Sequence, residues 1–443
     1  MTSAGIAGPI RDSSSSGASV LFTHASLANG TIWLIATLAT FGIITRPWGL
    51  SEALWAVTGA ALLVLGSLVS LHQAWLAITR GTDVYLFLAG MMLLAEVARS
   101  EGLFEWVAAL AVRRARGSPR RLFALVYLVG IIVTAFLSND ATAVVLTPAV
   151  YAAARQARTD PLPYLFICAF IANAASFLLP ISNPANLVVF VSALPPLAAW
   201  LARFLVPSVV AIAVTFMALR TMQQRDLSEP FMSTVQLPPL TRGARLAALG
   251  ILVTGVALLW ASAAGLELGL PTLIAGVTTA ALALLLDRRS PWRLVRGISW
   301  GVIPLVAGLF VLVAGLGRTG LLSELGDALQ RLTLHSSRVA TLAAGAGVAA
   351  ACNVMNNLPV ALIAGSIGGT AQASTQLKDA MLVGVDLGPN LSVTGSLATI
   401  LWLIALRREK VHISGLRFLK LGLVVMPPAL LLSLLAVVLQ RLN

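Results

Sequence analysis

Beyond residue 27 the chain alternates apolar runs with short polar joints, and the same pattern is written twice. The first series lies at about 28–45, 53–71, 83–98, 121–137, 141–154, 163–179, 185–201 and 205–221. A polar, proline-bearing stretch from Thr221 to Arg245 follows. The second series lies at about 246–262, 269–286, 297–316, 339–352, 358–367, 378–388, 396–406 and 416–440. A helix needs about 20 apolar residues to cross a bilayer core of about 30 Å, and several of these runs are too short. The short runs come in adjacent pairs with polar residues at the joint. Those joints are Ser138-Asn139-Asp140, Pro180 to Asn186, Asn353 to Asn357, and Asp386 to Ser396. Each half therefore reads as three full spans, a half-length hairpin, a broken span and one further span.

The pattern predicts an all-α polytopic membrane protein built as an inverted repeat, with about ten spanning helices, two re-entrant hairpins and two broken helices. A disordered tail is expected over 1–27, and a first repeat over 28–221, with its hairpin near 121–154 and its broken helix near 163–201. A cytoplasmic linker over 222–245 leads to a second repeat over 246–443, with a hairpin near 339–367 and a broken helix near 378–406. An odd number of crossings per half turns the second half upside down relative to the first, the symmetry used by alternating-access carriers. The hairpin near Asn139 then enters from the cytoplasm and the one near Asn356 from the periplasm, with both tips near the midplane.

Composition excludes the soluble alternatives. The chain is 58% hydrophobic and 11% charged, with a mean hydropathy of +0.90, whereas a soluble domain carries roughly 25% charged residues. The short alternating segments of an outer-membrane barrel are not visible. A net charge of +13 would raise nucleic acid in a soluble protein, but here the basic residues crowd into the joints at 99–121, 287–296 and 407–420. Placing those in the cytoplasm follows the positive-inside rule and leaves both termini periplasmic. Cys168 and Cys352 sit in apolar context and imply no disulfide framework.

The chemistry gathers at the four joints. Non-helical backbone at membrane depth survives only where protein or a water-filled site satisfies it, and four breaks in register are hard to explain as packing. Candidate substrate ligands are Ser138, Asn139, Asp140 and Thr142 in the first joint, and Asn183 and Asn186 in the second. Asn353, Asn356 and Asn357 follow in the third, then Asn390, Thr394 and Ser396 in the fourth. Amides and hydroxyls offer donors and acceptors suited to a small neutral or anionic oxygen compound. Charges within spans are costly and functional by default, so Asp140, Asp386 and Glu96 are the candidates for proton coupling. Lys378 and Asp379 are expected to pair with each other at the mouth of a span. No pattern for a cofactor or a fixed metal site is present.

The segment Asn353-Val354-Met355-Asn356-Asn357-Leu358-Pro359 resembles a signature of ArsB-type arsenite permeases. So does Asp386-Leu387-Gly388-Pro389, continuing to Gly395-Ser396-Leu397-Ala398-Thr399-Ile400-Leu401-Trp402. Ser138-Asn139-Asp140 with Leu146-Thr147-Pro148 is similar to the first-half counterpart, and the likeness spans the chain after the tail. This resemblance implies a bacterial inner-membrane carrier that exports arsenite and antimonite in exchange for protons, with optional coupling to a soluble ATPase, ArsA. The wider ion transporter superfamily leaves sodium/proton exchange and carboxylate transport as alternatives. An intramembrane enzyme is disfavoured, because His24, His72, His335 and His412 fall in tails or loops and no His-Glu-x-x-His or Gly-x-Ser-x-Gly occurs.

Overall fold

The computed structural model describes residues 14–191, 194–228, 230–231, 237–287, 290–369 and 374–440, and every regular element among them is helical. The first half contains α1 (Ser14–Thr45), α2 (Glu52–Leu65), α3 (Leu71–Arg80), α4 (Thr82–Ser100), α5 (Leu103–Ala115) and α6 (Pro119–Phe136). It continues with the single turn α7 (Asn139–Ala141), α8 (Thr147–Gln156), α9 (Leu162–Ala174), α10 (Pro184–Val189) and α11 (Leu197–Met222). The second half contains α12 (Arg242–Ala263), α13 (Gly269–Asp287), α14 (Pro291–Gly297), α15 (Val302–Arg318), α16 (Leu321–His335) and α17 (Ser337–Met355). It ends with α18 (Asn357–Gly368), α19 (Thr375–Leu387), α20 (Leu397–Arg408) and α21 (Gly415–Leu439). The order of elements repeats: hairpins α6–α8 and α17–α18, then breaks α9–α10 and α19–α20.

Helices are the only way for such apolar runs to pair their own backbone groups in lipid. Their starts are set by side chains: Ser70, Ser118, Thr241, Ser336, Ser374 and Ser414 each accept the N–H three residues ahead.

Several boundaries differ from the sequence reading. Helix α1 begins at Ser14, inside the stretch expected to be a disordered tail. No proline lies between Ser14 and Thr45, so nothing stops the helix from propagating back from its apolar end. Residues 1–13 lie outside the described residues. Among the described helices, seven are long and apolar enough to cross a membrane, or nine when the bent pairs α3–α4 (48°) and α14–α15 (41°) count as one span each. These include the first hairpin arms α6 and α17, with 18 and 19 residues. At 1.5 Å per residue each arm is roughly 27 Å long, so the hairpins pair one long arm with one short arm. The connections at 99–121 and 317–338 are not plain loops. Helix α5 buries Leu103, Phe104, Ala108 and Val112 while Arg113 and Arg114 stay exposed. Helix α16 is its counterpart in the second half and carries Leu321, Leu325, Leu329 and Leu332 on one stripe. Both are amphipathic, with the pattern of helices that lie along a membrane interface.

The halves are interleaved rather than side by side. Helix α4 packs on α13, and α2 packs on α15, so each half lends a helix to the other. Gly90 on α4 makes this possible, since a Cβ there would overlap the backbone of Thr272 and Leu273. Gly90→Val is therefore expected to lower the melting temperature in detergent, at an overpacking cost of about 1–3 kcal/mol. An unchanged melting temperature would show that α13 can step aside.

Candidate functional site

The first hairpin turns because α6 cannot continue past Phe136. Ser138 is extended, and its Oγ caps α7 by accepting the Ala141 N–H at 3.1 Å. The second arm then widens into a π turn over Thr142–Leu146, just where Pro148 withholds a backbone donor. Thr134 and Thr142 join the two arms through their hydroxyls at 2.8 Å.

The second hairpin turns at Asn356, whose φ of 73° and ψ of 155° lie in a region normally reserved for glycine. Such a residue costs of order 1–3 kcal/mol and persists only where its surroundings hold it. Its N–H donates to the Cys352 carbonyl at 2.8 Å, its Nδ2 donates to the Thr394 carbonyl at 3.3 Å, and its Oδ1 accepts the Leu358 N–H at 3.4 Å.

Each break is closed by an asparagine. Asn186 Nδ2 donates to the carbonyls of Ser176 (2.8 Å), Leu179 (3.3 Å) and Pro180 (3.3 Å), gathering the unwound backbone ahead of α10. Asn353 does the same for the second break, donating to the Ala349 and Gly388 carbonyls at 2.8 and 3.0 Å while accepting Ser392 Oγ at 2.6 Å. Thr394 Oγ1 donates to the Asn353 carbonyl at 3.1 Å. Asn390 is fully buried and donates to the Phe170 carbonyl at 3.1 Å. Asn183 and Ser396 cap the restarted helices α10 and α20.

The two hairpin tips and the first break meet around a small cavity. It measures about 10 Å³ and is lined by Asn139, Asp140, Asn183 and Asn357, with Leu88, Pro184 and Val302 among its apolar walls. That is close to the minimum needed for one water. A larger cavity of about 70 Å³ shares Asp140, Leu88, Pro184 and Val302, and runs on past Ser138 to Glu96, Gly297 and Ser299. No Lys or Arg among the described residues lines either cavity. Among the described residues no cation pairs with Asp140.

Six of the candidate residues thus face the cavities: Ser138, Asn139, Asp140, Asn183, Asn357 and Glu96. Thr142, Asn186, Asn353, Asn356, Asn390, Thr394, Ser396 and Asp386 line neither and are bonded into the surrounding framework. Glu96 is not a free carboxylate, since Arg99 grips both of its oxygens at 2.5 and 2.7 Å. Lys378 does not hold Asp379. Arg203 on α11 does, through a two-pronged bond, and its guanidinium also lies over the rings of Phe190 and Phe204. That partner is 176 residues away, and a planar fork suits a carboxylate better than an ammonium does. Sequence reasoning also missed Asn173, whose Nδ2 donates to Asn390 Oδ1 at 3.0 Å and Thr399 Oγ1 at 3.4 Å.

A family model described as citrate transporter (CitMHS) matches residues 32–385. The chain belongs to this citrate transporter family. The match takes in both hairpins and the first break. An arsenical pump membrane protein of Yersinia enterocolitica is 29% identical over 436 residues, covering 94% of this chain and 99% of its own length. One of Escherichia coli is 27% identical over 437 residues with the same coverage. The resemblance to arsenite permeases is therefore borne out along nearly the whole chain. The crystal structure of the Alcanivorax borkumensis YdaH transporter superposes with a TM-score of 0.56 at 15% identity, covering 94% of this chain and 97% of that one. This citrate transporter family member is a multi-pass membrane transporter of the ion transporter superfamily.

Proposed function

We propose that the chain exports arsenite and antimonite from the bacterial cytoplasm across the inner membrane, in exchange for protons. The observation that carries this reading is the charge inventory of the site. Three asparagines and one carboxylate, Asp140, line the small cavity, with no basic side chain against them. At neutral pH arsenite is mostly the uncharged trihydroxide, a polyol-like molecule that amides and hydroxyls can hold and release. Strong As(III) capture would call for soft thiolates. Cys352 lies fully buried with its thiol toward the Val385 carbonyl, outside the cavity walls, and Cys168 is likewise buried. Reversible oxygen–oxygen contacts suit a carrier that must let go.

In this reading Asp140 is the group that trades a proton for the substrate. It takes part in the walls of both cavities, so a ligand and a proton compete for the same carboxylate. The names of the pump proteins in Yersinia enterocolitica and Escherichia coli support the same substrate.

The family description supports a second reading, carriage of a carboxylate. A citrate anion placed here would face Asp140 without a compensating cation, which costs Coulomb energy in a poorly hydrated site. Everted vesicles separate the readings. Arsenite uptake driven by an imposed pH gradient is expected, with no uptake of citrate and no sodium-driven dequenching of a pH dye. Citrate uptake, or sodium-driven dequenching without arsenite uptake, would overturn the proposal.

A further inference from the structure

The two breaks are tied to each other by a reciprocal exchange. Asn183 caps α10 by accepting the Ala185 N–H at 3.0 Å, and its Nδ2 reaches into the other half to donate to Asp386 Oδ1 at 2.5 Å. Ser396 caps α20 by accepting the Thr399 N–H at 3.1 Å, and its Oγ reaches back to donate to Asn173 Oδ1 at 3.3 Å. Asn173 stands ten residues before its cap at 183, and Asp386 stands ten residues before its cap at 396. The two positions are therefore equivalents in the repeat, one occupied by an amide and the other by a carboxyl. The hairpin tips show the mirror arrangement: Asn139-Asp140 in the first half answers Asn356-Asn357 in the second. Each half thus contributes one Asp where its twin has Asn.

Asn173 demonstrates what the framework asks of this position, namely an oxygen that accepts from the opposite cap. An amide supplies that, so the charge at 386 is surplus to the scaffold. Asp386 is 1% exposed, and among the described residues its Oδ2 meets no donor in good hydrogen-bond geometry, the nearby Ser176 hydroxyl being given to the Asn173 carbonyl at 2.7 Å. Among the described residues its surroundings offer no balancing cation, since Lys378 of the same helix stands about two turns away, beside Gly368. Helix α17 presents Cys352, the break after α9 presents Ser176, and α10 presents Asn183. Helix α18 carries no charged residue, α21 carries its two charges, Arg417 and Lys420, in its first turns, and Arg203 of α11 is committed to Asp379. A buried carboxyl in such a setting exists as the neutral acid or as an anion awaiting a cation.

We propose that Asp386 is a second proton-binding carboxyl, and that Asn183 is the positioning residue that couples it to the transport cavity. Asn183 lines the cavity beside Asp140 while bonding Asp386 from behind. A hydrogen bond to an ionised carboxylate is roughly twice as strong as one to a neutral group. When Asp386 takes up a proton its grip on Asn183 slackens, and the cap of α10 is released against the cavity. When it gives the proton up, the grip returns. The proton enters from one side of the membrane and leaves to the other, and the O–H bond of Asp386 is the only covalent bond made and broken.

This inference rests on the export reading above, and reconstituted proteoliposomes separate the two. Arsenite counterflow, which exchanges internal for external substrate without net proton movement, is measured beside accumulation driven by a pH gradient. Wild-type protein that fails at counterflow overturns the export reading itself. With wild type active, Asp386→Asn is expected to keep counterflow within about twofold while gradient-driven accumulation drops at least about tenfold. Asn183→Gly, which keeps a tolerated helix start but removes the donor to Asp386, is expected to show a ratio of gradient-driven accumulation to its own counterflow at least about tenfold below that of wild type. Full accumulation in Asp386→Asn overturns the proposal. So does loss of counterflow in Asp386→Asn together with a wild-type ratio of accumulation to counterflow in Asn183→Gly.

Discussion

Asp140→Asn is expected to abolish arsenite resistance in a sensitive host while leaving the protein at normal abundance in its membrane. The substitution is nearly isosteric, and the twin position in the second hairpin, Asn357, already holds an asparagine. Among the described residues Asp140 anchors no ion pair whose loss would unfold the tip, and its backbone N–H stays bonded to Asn139 Oδ1 at 2.9 Å whatever the side chain. What disappears is the charge facing both cavities. A hydrogen bond to a charged group is worth about 1.5–3 kcal/mol, so substrate handling should fall by roughly ten- to a hundredfold, and proton exchange at this carboxyl should cease. Full resistance in the variant would remove Asp140 from the site.

Arg203→Ala carries the largest expected loss of stability. Arg203 and Asp379 form a buried pair, with side chains 12% and 2% exposed, and the guanidinium centre lies 5.2 Å from the Phe190 ring and 5.5 Å from that of Phe204. Removing one partner strands a buried carboxylate and costs about 3–5 kcal/mol. Arg203→Lys should restore only part of this, because an ammonium neither stacks nor forks. Arg203→Met combined with Asp379→Leu should recover most of it, since both charges leave together. Melting of detergent-solubilised protein ranks the four forms. A single Arg203→Ala variant as stable as wild type would show that water reaches Asp379.

The four interruptions were legible in the sequence because proline, glycine and asparagine have no business in the middle of an apolar run unless the helix stops there. Their pairing across halves was legible as well, from order alone. The amphipathic helices α5 and α16 were not recognised. Their arginines and acids read as loop content, although the leucine stripe from Leu321 to Leu332 carries a helical period. At the site itself, the residue types gave the neighbourhood but not the roles. Asn186, Asn353 and Asn183 are chemically identical, yet the first two close backbone gaps and only the third faces the cavity. Which way each points is settled by helix rotation and by partners far away in the chain. Arg203 with Asp379 and Asn173 with Asn390 are contacts of that kind, and no local pattern announces them.

The interleaving of the halves also imposes a schedule on synthesis. Asn183 and Asp386 are 203 residues apart, and a ribosome adding about 5–20 residues per second delivers the second roughly 10–40 s after the first. For that interval the first hairpin and break, with the Asn183 and Asn173 Nδ2 groups still lacking their second-half partners, must wait in the bilayer or in the insertion machinery. Assembly of this carrier is therefore vulnerable in a window set by translation speed, and slowing elongation between the two halves should be more damaging than slowing it within either.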